Sequence, residues 1–547
     1  TLDISRYLDP KRPTEPDRTL YYSSTAVLDL YDMLRQFIDT AHELEGFMMV
    51  VLTPPEFLTD ARRGIDRYEA LKHRIWDDVR DKRRQNPLVP LVRLSPSSSE
   101  QSSEKESSVT TETDEETFMA RCVIEGLRAG VPNGHVVKSL GCPQGEIEWR
   151  FRRLLEGTQQ NISTGHCSKG LIVEGSFGSG KSHVLEYLQT VALEANYICS
   201  RVVISKETPL YHPTRMFHAA IESAVIPNKK GEVLEEIASQ CDAWDPKYKG
   251  FSTWVNSQDS GMDPRFAASL FLHERMGSDQ ELGYRMARFW TGDPLGVGEL
   301  KKYLKECGIA GKYSFGKISQ AELASQRFQF ASRLMQAAGY AGWMILIDEV
   351  EVIGRYSINQ RTKSYAELAR LVGGQDTISY PGVGVVVALT DDFQTEVLEG
   401  KGDMVNIPKR LQADSSEINV RLSEQAEMGM KLVESRRIPI EGPSEALIQQ
   451  THETIRSLHV KAHHWRDWDH SAIMPTLEVI PGTRMREYVK SWITALDLKR
   501  LSPEEAVDIE VANFKPHYEE DLALASVVTE PTNHSAIAQP IDTLEDE

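Results

Sequence analysis

The sequence predicts an α/β fold in which helices cover both faces of a parallel sheet. Four apolar runs of strand length, at residues 171–173, 201–204, 343–347 and 383–389, are separated by long stretches with helical periodicity. Parallel strands buried on both faces give such continuous runs, because their connections cross the sheet as helices. A Gly-rich turn follows the first run and opens a helix, and two carboxylates end the third run. Together these features predict the sheet of a P-loop NTPase.

Composition narrows the class of protein. The 547 residues are 40% hydrophobic and 26% charged, which is typical of globular domains. The net charge of −19 gives no chain-wide attraction for nucleic acid. No apolar run reaches the roughly 18 residues that a membrane helix needs. The six cysteines are widely spaced and form no CxxC pair, so we predict a cytoplasmic protein with no disulfide framework and no membrane association.

A polar segment divides the chain. Residues 95–117 are almost entirely Ser, Thr, Glu and Asp, with too few apolar side chains to offset the entropy lost on ordering, and they predict a disordered linker. An N-terminal piece, residues 1–94, precedes the linker. The patterns after it predict an N-terminal helical segment, a P-loop core, a helical lid domain and an acidic, frayed tail, at residues 118–160, 161–423, 424–514 and 515–547.

The Gly-rich turn has the pattern G-x-x-x-x-G-K-S of a phosphate-binding loop. Its residues are Gly175, Ser176, Phe177, Gly178, Ser179, Gly180, Lys181 and Ser182. The glycines let backbone N–H groups converge on phosphate oxygens, and the following helix presents its positive end. We predict that the loop binds ATP, with Lys181 at the β- and γ-phosphates and the Ser182 hydroxyl on Mg²⁺. The alternative is a strand-to-helix turn without a ligand.

The third apolar run ends in Asp348 and Glu349. Two carboxylates at the end of a buried strand are costly unless a metal or other cations meet them. We therefore predict that Asp348 holds the hydration shell of Mg²⁺ and that Glu349 polarises a water for attack on the γ-phosphate. A Glu directly after the Asp favours hydrolysis over binding alone. Without the phosphate loop, a strand ending in Asp-Glu would be structural in most proteins.

Further candidates depend on position alone. Thr390 ends the fourth strand and is predicted to act as a sensor near the γ-phosphate, unless it is only a strand-end Thr. Arg410 has the position at which some ring-forming ATPases present a cation to a neighbour's γ-phosphate, and an exposed Arg is the alternative. Arg484 and Arg486 are predicted to reach back from the lid to the nucleotide, or both lie on the surface. The His-rich residues 463–470 do not predict a metal site, because adjacent His side chains point to different helix faces.

An internal repeat relates the N-terminal piece to the core. Residues 24–57 align with residues 364–393, each with a helix, a Gly-containing turn, an apolar strand ending in Thr and then a Phe. Downstream, Arg74 stands opposite Arg410. The repeat predicts a truncated second ATPase-like half-domain without a phosphate loop, in a tandem arrangement that is cut short. Chance similarity of helix and strand patterns is the alternative.

Four stretches carry a resemblance to a known family. They are residues 127–140 (LRAGVPNGHVVKSL), 175–182, 200–211 (SRVVISKETPLY) and 221–227 (IESAVIP). In these stretches the chain resembles the BrxD family, the ATP-binding proteins of bacteriophage-exclusion (BREX) systems. The resemblance spans roughly residues 118–500, and we expect residues 1–94 and the linker to be a departure from it. It implies an AAA+/Orc-like ATPase that works with DNA-handling partners, such as a helicase, in antiviral defence.

Two function classes stay open on the sequence. The first is an ATPase that couples turnover to remodelling of a protein–DNA assembly, and the second is a regulatory ATP-binding scaffold with negligible turnover. A third possibility is direct DNA binding through a helix-turn-helix in residues 118–157, although Lys138 is the one basic residue in its recognition-helix segment 136–139. We expect DNA contact to be indirect, and a homo-oligomer is compatible with the candidate Arg410.

Overall fold

The structure of the protein is a computed structural model. It describes residues 2–8, 24–40, 49–60, 63–75, 79–82, 86–88, 91, 115–160, 168–227, 233–240, 244–276, 280–309, 311–373, 380–412, 416–464, 484–511 and 518–520. The strands are β1 (Leu2–Asp3), β2 (Val51–Leu52), β3 (Val79–Asp81), β4 (Leu171–Glu174), β5 (Ile198–Val203), β6 (Ala224–Val225), β7 (Trp343–Asp348), β8 (Val383–Leu389), β9 (Arg437–Pro439) and β10 (Ile509–Val511).

Helices make up most of the described chain. They are α1 (Ser5–Leu8), α2 (Ser24–Asp39), α3 (Glu56–Thr59), α4 (Glu69–Ile75), α5 (Glu115–Ala129), α6 (Gly134–Leu140), α7 (Gly145–Gln160), α8 (Lys181–Glu194), α9 (Pro213–Glu222), α10 (Val233–Gln240), α11 (Pro246–Asn256), α12 (Pro264–Met276), α13 (Gln280–Thr291), α14 (Val297–Glu306), α15 (Gln320–Ala337), α16 (Ile358–Val372), α17 (Asp403–Gln412), α18 (Glu417–Ser435), α19 (Glu445–His463) and α20 (Met485–Leu501). Within the described ranges, no helix is both long and apolar enough to cross a membrane.

Six strands form the central sheet, in the order β6-β5-β7-β8-β4-β9. The edge strand β6 pairs antiparallel with β5, and every other pair is parallel. All four strands predicted from the apolar runs lie in this sheet, which confirms the mixed α/β, parallel-sheet prediction. Strand β8 lies between β4 and β7, so the end of β8 stands between the loop after β4 and the carboxylates at the end of β7.

Both faces of the sheet are covered, as the continuous apolar runs require. In β7, Trp343, Ile345 and Ile347 pack into one core with α9, α15 and α16. The alternate residues Met344 and Leu346 pack into a second core with α7 and α8. This alternation follows from the two-residue period of a strand, and it buries the whole of β7.

Residues 115–160 form three helices, in agreement with the helical pattern. Helices α5 and α6 contribute no residue to the two cores that cover the sheet. They share a separate apolar core with α19 and α20, in which Ile124 and Leu127 meet Ile455, Trp492 and other side chains. The sequence did not predict this union of the first helices of the body with its last ones, because the two segments lie more than 300 residues apart.

The described part of residues 1–94, here called the N-terminal module, has its own small core between α2, α4 and the parallel pair β1 and β2. Apart from the four-residue helices α1 and α3, the order β1, α2, β2 and α4 is the order of β7, α16, β8 and α17 in the body. Strand β3 pairs antiparallel with β10. This pairing joins the N-terminal module to the described residues after α20, residues 502–511 and 518–520, here called the C-terminal segment.

The lid and the tail differ from the sequence prediction, and parts of the linker and the tail lie outside the described residues. Strand β9 lies in the segment predicted to be a helical lid, yet it pairs with β4 in the central sheet. In the tail, which was predicted to be frayed, Tyr518 and Glu520 bond to the body. Most of the predicted linker, residues 95–114, lies outside the described residues, as do residues 521–547.

Candidate functional site

A cavity of about 860 Å³ opens at the carboxyl ends of β4, β5 and β7. This volume lies within the roughly 300–1,000 Å³ of typical ligand cavities, and the carboxyl edge of an open α/β sheet is where ligands bind. Its walls come from the loop after β4, from the ends of β5 and β7, from α5 and α20, and from α2 and α4 of the N-terminal module. The cavity therefore joins distant parts of the chain.

The Gly-rich loop forms one wall of this cavity. Gly178 and Gly180 have φ of 79° and 106°, in the left-handed region that side chains disfavour. Lys181 begins α8 and is 8% exposed, and its Nζ donates to Gly175 O at 3.0 Å and to Ser176 O at 3.4 Å. The ammonium group is thereby held beneath the loop. Phe177, Ser179 and Ser182 also line the cavity.

A hydrogen bond between two residues that were predicted to hold Mg²⁺ joins the Gly-rich loop to the end of β7. Ser182 Oγ donates to Asp348 Oδ2 at 2.7 Å, and Asp348 is 3% exposed. A hydroxyl keeps lone pairs when it donates its proton, so Ser182 and Asp348 together offer a cluster of hard oxygen ligands, which suits Mg²⁺. Arg201 lies beside them, with Nη1 at 2.7 Å from Glu186 Oε2 and Nη2 at 3.5 Å from Asp348 Oδ2.

Glu349 has an unusual backbone and an unexpected partner. Its φ of 57° places a residue other than glycine in the left-handed region, which costs on the order of 1–3 kcal/mol. Its carboxylate accepts a hydrogen bond from Arg74 Nη1 at 3.1 Å. Burial raises the pKa of Glu349, the Arg74 guanidinium lowers it, and the Asp348 carboxylate raises it further. The net shift is upward, so burial outweighs the guanidinium.

A third carboxylate stands at the same edge. Glu351 Oε1 is 3.9 Å from Lys181 Nζ. Burial raises the pKa of Glu351 to about 7, although Lys181 opposes the shift. Its Oε2 is buried with no hydrogen-bond partner among the described residues. The site thus contains, beside Lys181, a third carboxyl group that was not predicted from the sequence.

Thr390 is buried at the end of β8 and bonds to the C-terminal segment. Its hydroxyl is 2.8 Å from the Tyr518 hydroxyl, which donates to Asp392 Oδ1 at 2.7 Å. Burial raises the pKa of Tyr518 well above its usual range, so this phenol stays protonated. Thr390 does not line the cavity, but Tyr518 lies close enough to Glu351 for the two groups to interact electrostatically.

The three arginines predicted from the sequence differ in whether they line the cavity. Arg486 lines the cavity, its guanidinium lies 5.6 Å from the centre of the Phe177 ring, and its backbone N–H donates to Gly178 O at 3.4 Å. Arg484 precedes α20 with its Cδ close to Gly178, but it does not line the cavity. Arg410 is exposed on α17 and does not line it either.

One possible metal site lies away from this cavity. Ligand atoms of His459, His463 and Asp497 come within 4.8 Å of one another. The Asp497 carboxylate, however, accepts two hydrogen bonds from Arg128, one from Asn86 and one from His459. These four bonds fill the acceptor sites of a carboxylate, and a guanidinium repels a metal ion, so the cluster is an ion-pair network rather than a metal site.

Sequence reasoning missed Arg74, Arg201, Glu351 and Tyr518 as neighbours of the site. A signal existed for Arg201, since it is a charged residue at the start of an otherwise apolar strand run. Arg74 was singled out only by the repeat, which does not say where its side chain lies. Tyr518 gave no signal, because its contact depends on the path of the C-terminal segment.

A mostly parallel sheet with a Gly-rich loop and acidic residues at its carboxyl edge is typical of nucleotide-binding α/β proteins. The family model described as BREX system ATP-binding protein BrxC/D matches residues 24–111, 119–240 and 316–467, more than half of the chain. The chain belongs to this family. The match includes residues 24–111, so the expectation that residues 1–94 and the linker depart from the family was wrong for this part of them. No curated protein matches the chain.

Proposed function

We propose that the chain binds ATP with Mg²⁺ in the cavity after β4 and hydrolyses it, and that turnover drives remodelling of a protein–DNA assembly in a phage-exclusion system. Its partners would be other components of that system, such as a helicase. The observation that carries the proposal is the bond between Ser182 and Asp348, directly below the Gly-rich loop. It brings the two predicted Mg²⁺ ligands together from positions 166 residues apart.

The residues of the site suit this chemistry. Backbone N–H groups of the loop and the first turn of α8 would bind the phosphates, and Lys181 would exchange its bonds to loop carbonyls for the β- and γ-phosphates. Ser182 and Asp348 would hold Mg²⁺, which neutralises charge on the phosphates. Glu349 would accept the proton of the attacking water. In this proposal Arg486 contacts the nucleotide from the cavity wall, whereas Thr390 and Arg484, which do not line the cavity, respond to it through their neighbours Tyr518 and Gly178.

The experiment measures nucleotide binding and phosphate release by the purified full chain. We expect Lys181→Ala to weaken ATP binding at least about tenfold, equivalent to about 1.4 kcal/mol, because it removes the cation nearest the phosphates. Glu349→Gln is expected to keep or strengthen ATP binding and to lower turnover about 100-fold or more, since it removes the base. Lys301→Ala, on the exposed face of α14, is the matched control and should change neither quantity.

A scaffold that holds ATP with negligible turnover is the second candidate. The observation in its favour is the ion pair with Arg74, which occupies the Glu349 carboxylate. Wild-type chain that binds ATP but releases no phosphate, with and without DNA, would support the scaffold and contradict the motor proposal.

A further inference from the structure

The N-terminal module places a cation inside the candidate ATP site. Arg74 is carried by α4, yet its Nη1 lies 3.1 Å from Glu349 Oε1, across 275 residues of sequence. Arg74, Arg35 and Asp39 of the module line the same cavity as Lys181 and Asp348. The side chain of Arg74 is 13% exposed. A long cationic side chain is therefore fixed at the acidic edge of β7 by a separate part of the chain.

A second carboxylate holds Arg74 in this direction. Its Nε donates to Asp39 Oδ1 at 2.5 Å, and Asp39 Oδ2 accepts from Arg35 Nη1 at 2.9 Å. Burial opposes ionisation of Asp39, but Arg74, Arg35 and Arg201 together outweigh burial and lower the pKa of Asp39. Asp39 therefore stays ionised and anchors one side of the guanidinium, while the other side contacts Glu349.

The carboxylates at the end of β7 would repel the phosphates of bound ATP unless a cation lies beside them. A γ-phosphate placed by Lys181 would lie beside Asp348, Glu349 and Glu351, and these like charges oppose it. Arg201 is already engaged with Glu186 and Asp348. Arg74 contacts the carboxylate predicted to act on the γ-phosphate, so replacing this bond by one to the γ-phosphate would exchange one oxyanion for another. A guanidinium suits both partners, since its fork binds carboxylate and phosphate oxygens alike.

The repeat gives independent support. Arg74 on α4 stands opposite Arg410 on α17 of the body, the position at which some ring-forming ATPases present a cation to a neighbour's site. In this chain Arg410 is exposed and away from the cavity, whereas Arg74 reaches it. The related half-domain thus brings the same residue to a site that it does not itself contain.

We propose that Arg74 is a γ-phosphate-dependent switch residue: it exchanges its bond to Glu349 for one to the γ-phosphate of ATP, which frees Glu349 and couples the N-terminal module to the nucleotide state. This inference rests on the proposed function. It requires that Arg74 distinguishes ATP from ADP, because ADP has no γ-phosphate to replace the carboxylate.

The test compares equilibrium binding of a non-hydrolysable ATP analogue and of ADP to the full chain by calorimetry. We expect Arg74→Ala to weaken analogue binding about tenfold, which is about 1.4 kcal/mol, and to change ADP binding less than about twofold. Arg74→Lys should recover part of the analogue affinity. The matched control is Arg421→Ala, which removes an exposed guanidinium paired with Glu417 on α18 and should leave both affinities unchanged.

A double-mutant cycle measures the exchange itself. Glu349→Ala removes the competing carboxylate, so it should strengthen analogue binding more when Arg74 is present than in the Arg74→Ala background. Equal gains in both backgrounds, or equal losses of analogue and ADP in Arg74→Ala, would overturn the switch and leave Arg74 a structural ion pair. If Arg74→Ala does not fold, Arg74→Lys carries the same comparison of analogue and ADP.

The two proposals fail in different ways. Wild-type chain that binds neither nucleotide contradicts the proposed function and the switch together. Wild-type chain whose binding of both nucleotides depends on Lys181, but whose preference for the analogue over ADP does not depend on Arg74, contradicts the switch alone.

Discussion

At the scale of single residues, the carboxylate of Asp497 joins three parts of the molecule. It is fully buried on α20 and accepts hydrogen bonds from Arg128 of α5, His459 of α19 and Asn86 of the N-terminal module. Burial raises its pKa, but the bonds from His459 and Arg128 outweigh burial and hold the pKa well below its usual range. A buried charge with this many partners is costly to break, since each partner would lose its own bond.

We expect Asp497→Asn to lower the free energy of unfolding by about 3–5 kcal/mol at neutral pH, because buried Arg128 then keeps only the exposed Glu125 as a counter-charge. Urea denaturation measures this loss. Glu417→Gln is the control, since Glu417 belongs to an exposed pair, and its effect should be below about 0.5 kcal/mol. A loss under about 1 kcal/mol for Asp497→Asn would contradict the ion-pair account.

The pH dependence of the same network has a defined sign. The folded-state pKa of Asp497 is depressed, so its stabilisation is fully present above the unfolded value near 3.8 and is lost as the pH falls below it. We therefore expect the difference in unfolding free energy between wild type and Asp497→Asn to be constant from about pH 7 to 5 and to shrink below about pH 4. A difference that already shrinks above pH 5 would contradict the attribution of this pH dependence to Asp497.

At the scale of elements, close packing of α16 against α18 depends on one glycine. A Cβ built on Gly429 of α18 would lie 1.9 Å from the Tyr365 carbonyl oxygen of α16. Backbone cannot move away as a flexible side chain does, so the two helices approach closely only because residue 429 has no side chain. This contact positions α18, and with it the strand β9 that extends the central sheet beside the strand before the Gly-rich loop.

Two glycine substitutions should have opposite signs. Gly429→Ala is expected to lower the free energy of unfolding by about 2 kcal/mol or more through overpacking. Gly250→Ala, on the exposed face of α11 with no atom within 4 Å of the new Cβ, should raise it by about 0.5–1 kcal/mol through helix propensity. Thermal and urea unfolding of both variants measure the difference. Equal effects would show that the α16–α18 contact is looser than described.

At the scale of the whole molecule, charge governs how the chain meets DNA. The net charge is −19. Of the three basic residues of α7, Arg150 pairs with Glu146, Arg152 pairs with Glu148, and Arg153 lies over the Trp149 ring. Helix α6, the recognition helix of the helix-turn-helix hypothesis, buries Val136 and Val137 and carries Lys138 as its one Lys or Arg. Neither feature supplies the run of phosphate contacts on which non-specific DNA affinity depends.

We therefore expect the isolated chain to bind duplex DNA no more tightly than roughly micromolar at about 0.15 M salt, and DNA to be reached through partners. Fluorescence anisotropy across a salt series measures this affinity. Nanomolar binding with a steep loss of affinity at higher salt would instead indicate a direct phosphate-binding surface.

The sequence by itself determined the four parallel strands, the Gly-rich loop and the residues Lys181, Ser182 and Asp348 placed around it. These features are local, because a strand, its turn and the next helix are neighbours in the chain and their apolar periods record burial. The order of the strands was open, since β8 lies between β4 and β7 only through long-range pairing. Strand β9 was missed because three residues give too short a pattern.

Only the tertiary structure decided which distant groups share the site. Arg74 reaches Glu349, Tyr518 bonds to Thr390, and Arg486, rather than Arg484, lines the cavity. The physical reason is that such contacts follow from how α4, the C-terminal segment and α20 pack, whereas sequence periodicity reports only which face of an element is buried. The repeat marked Arg74 as comparable with Arg410, but packing alone placed the first inside the cavity and left the second exposed.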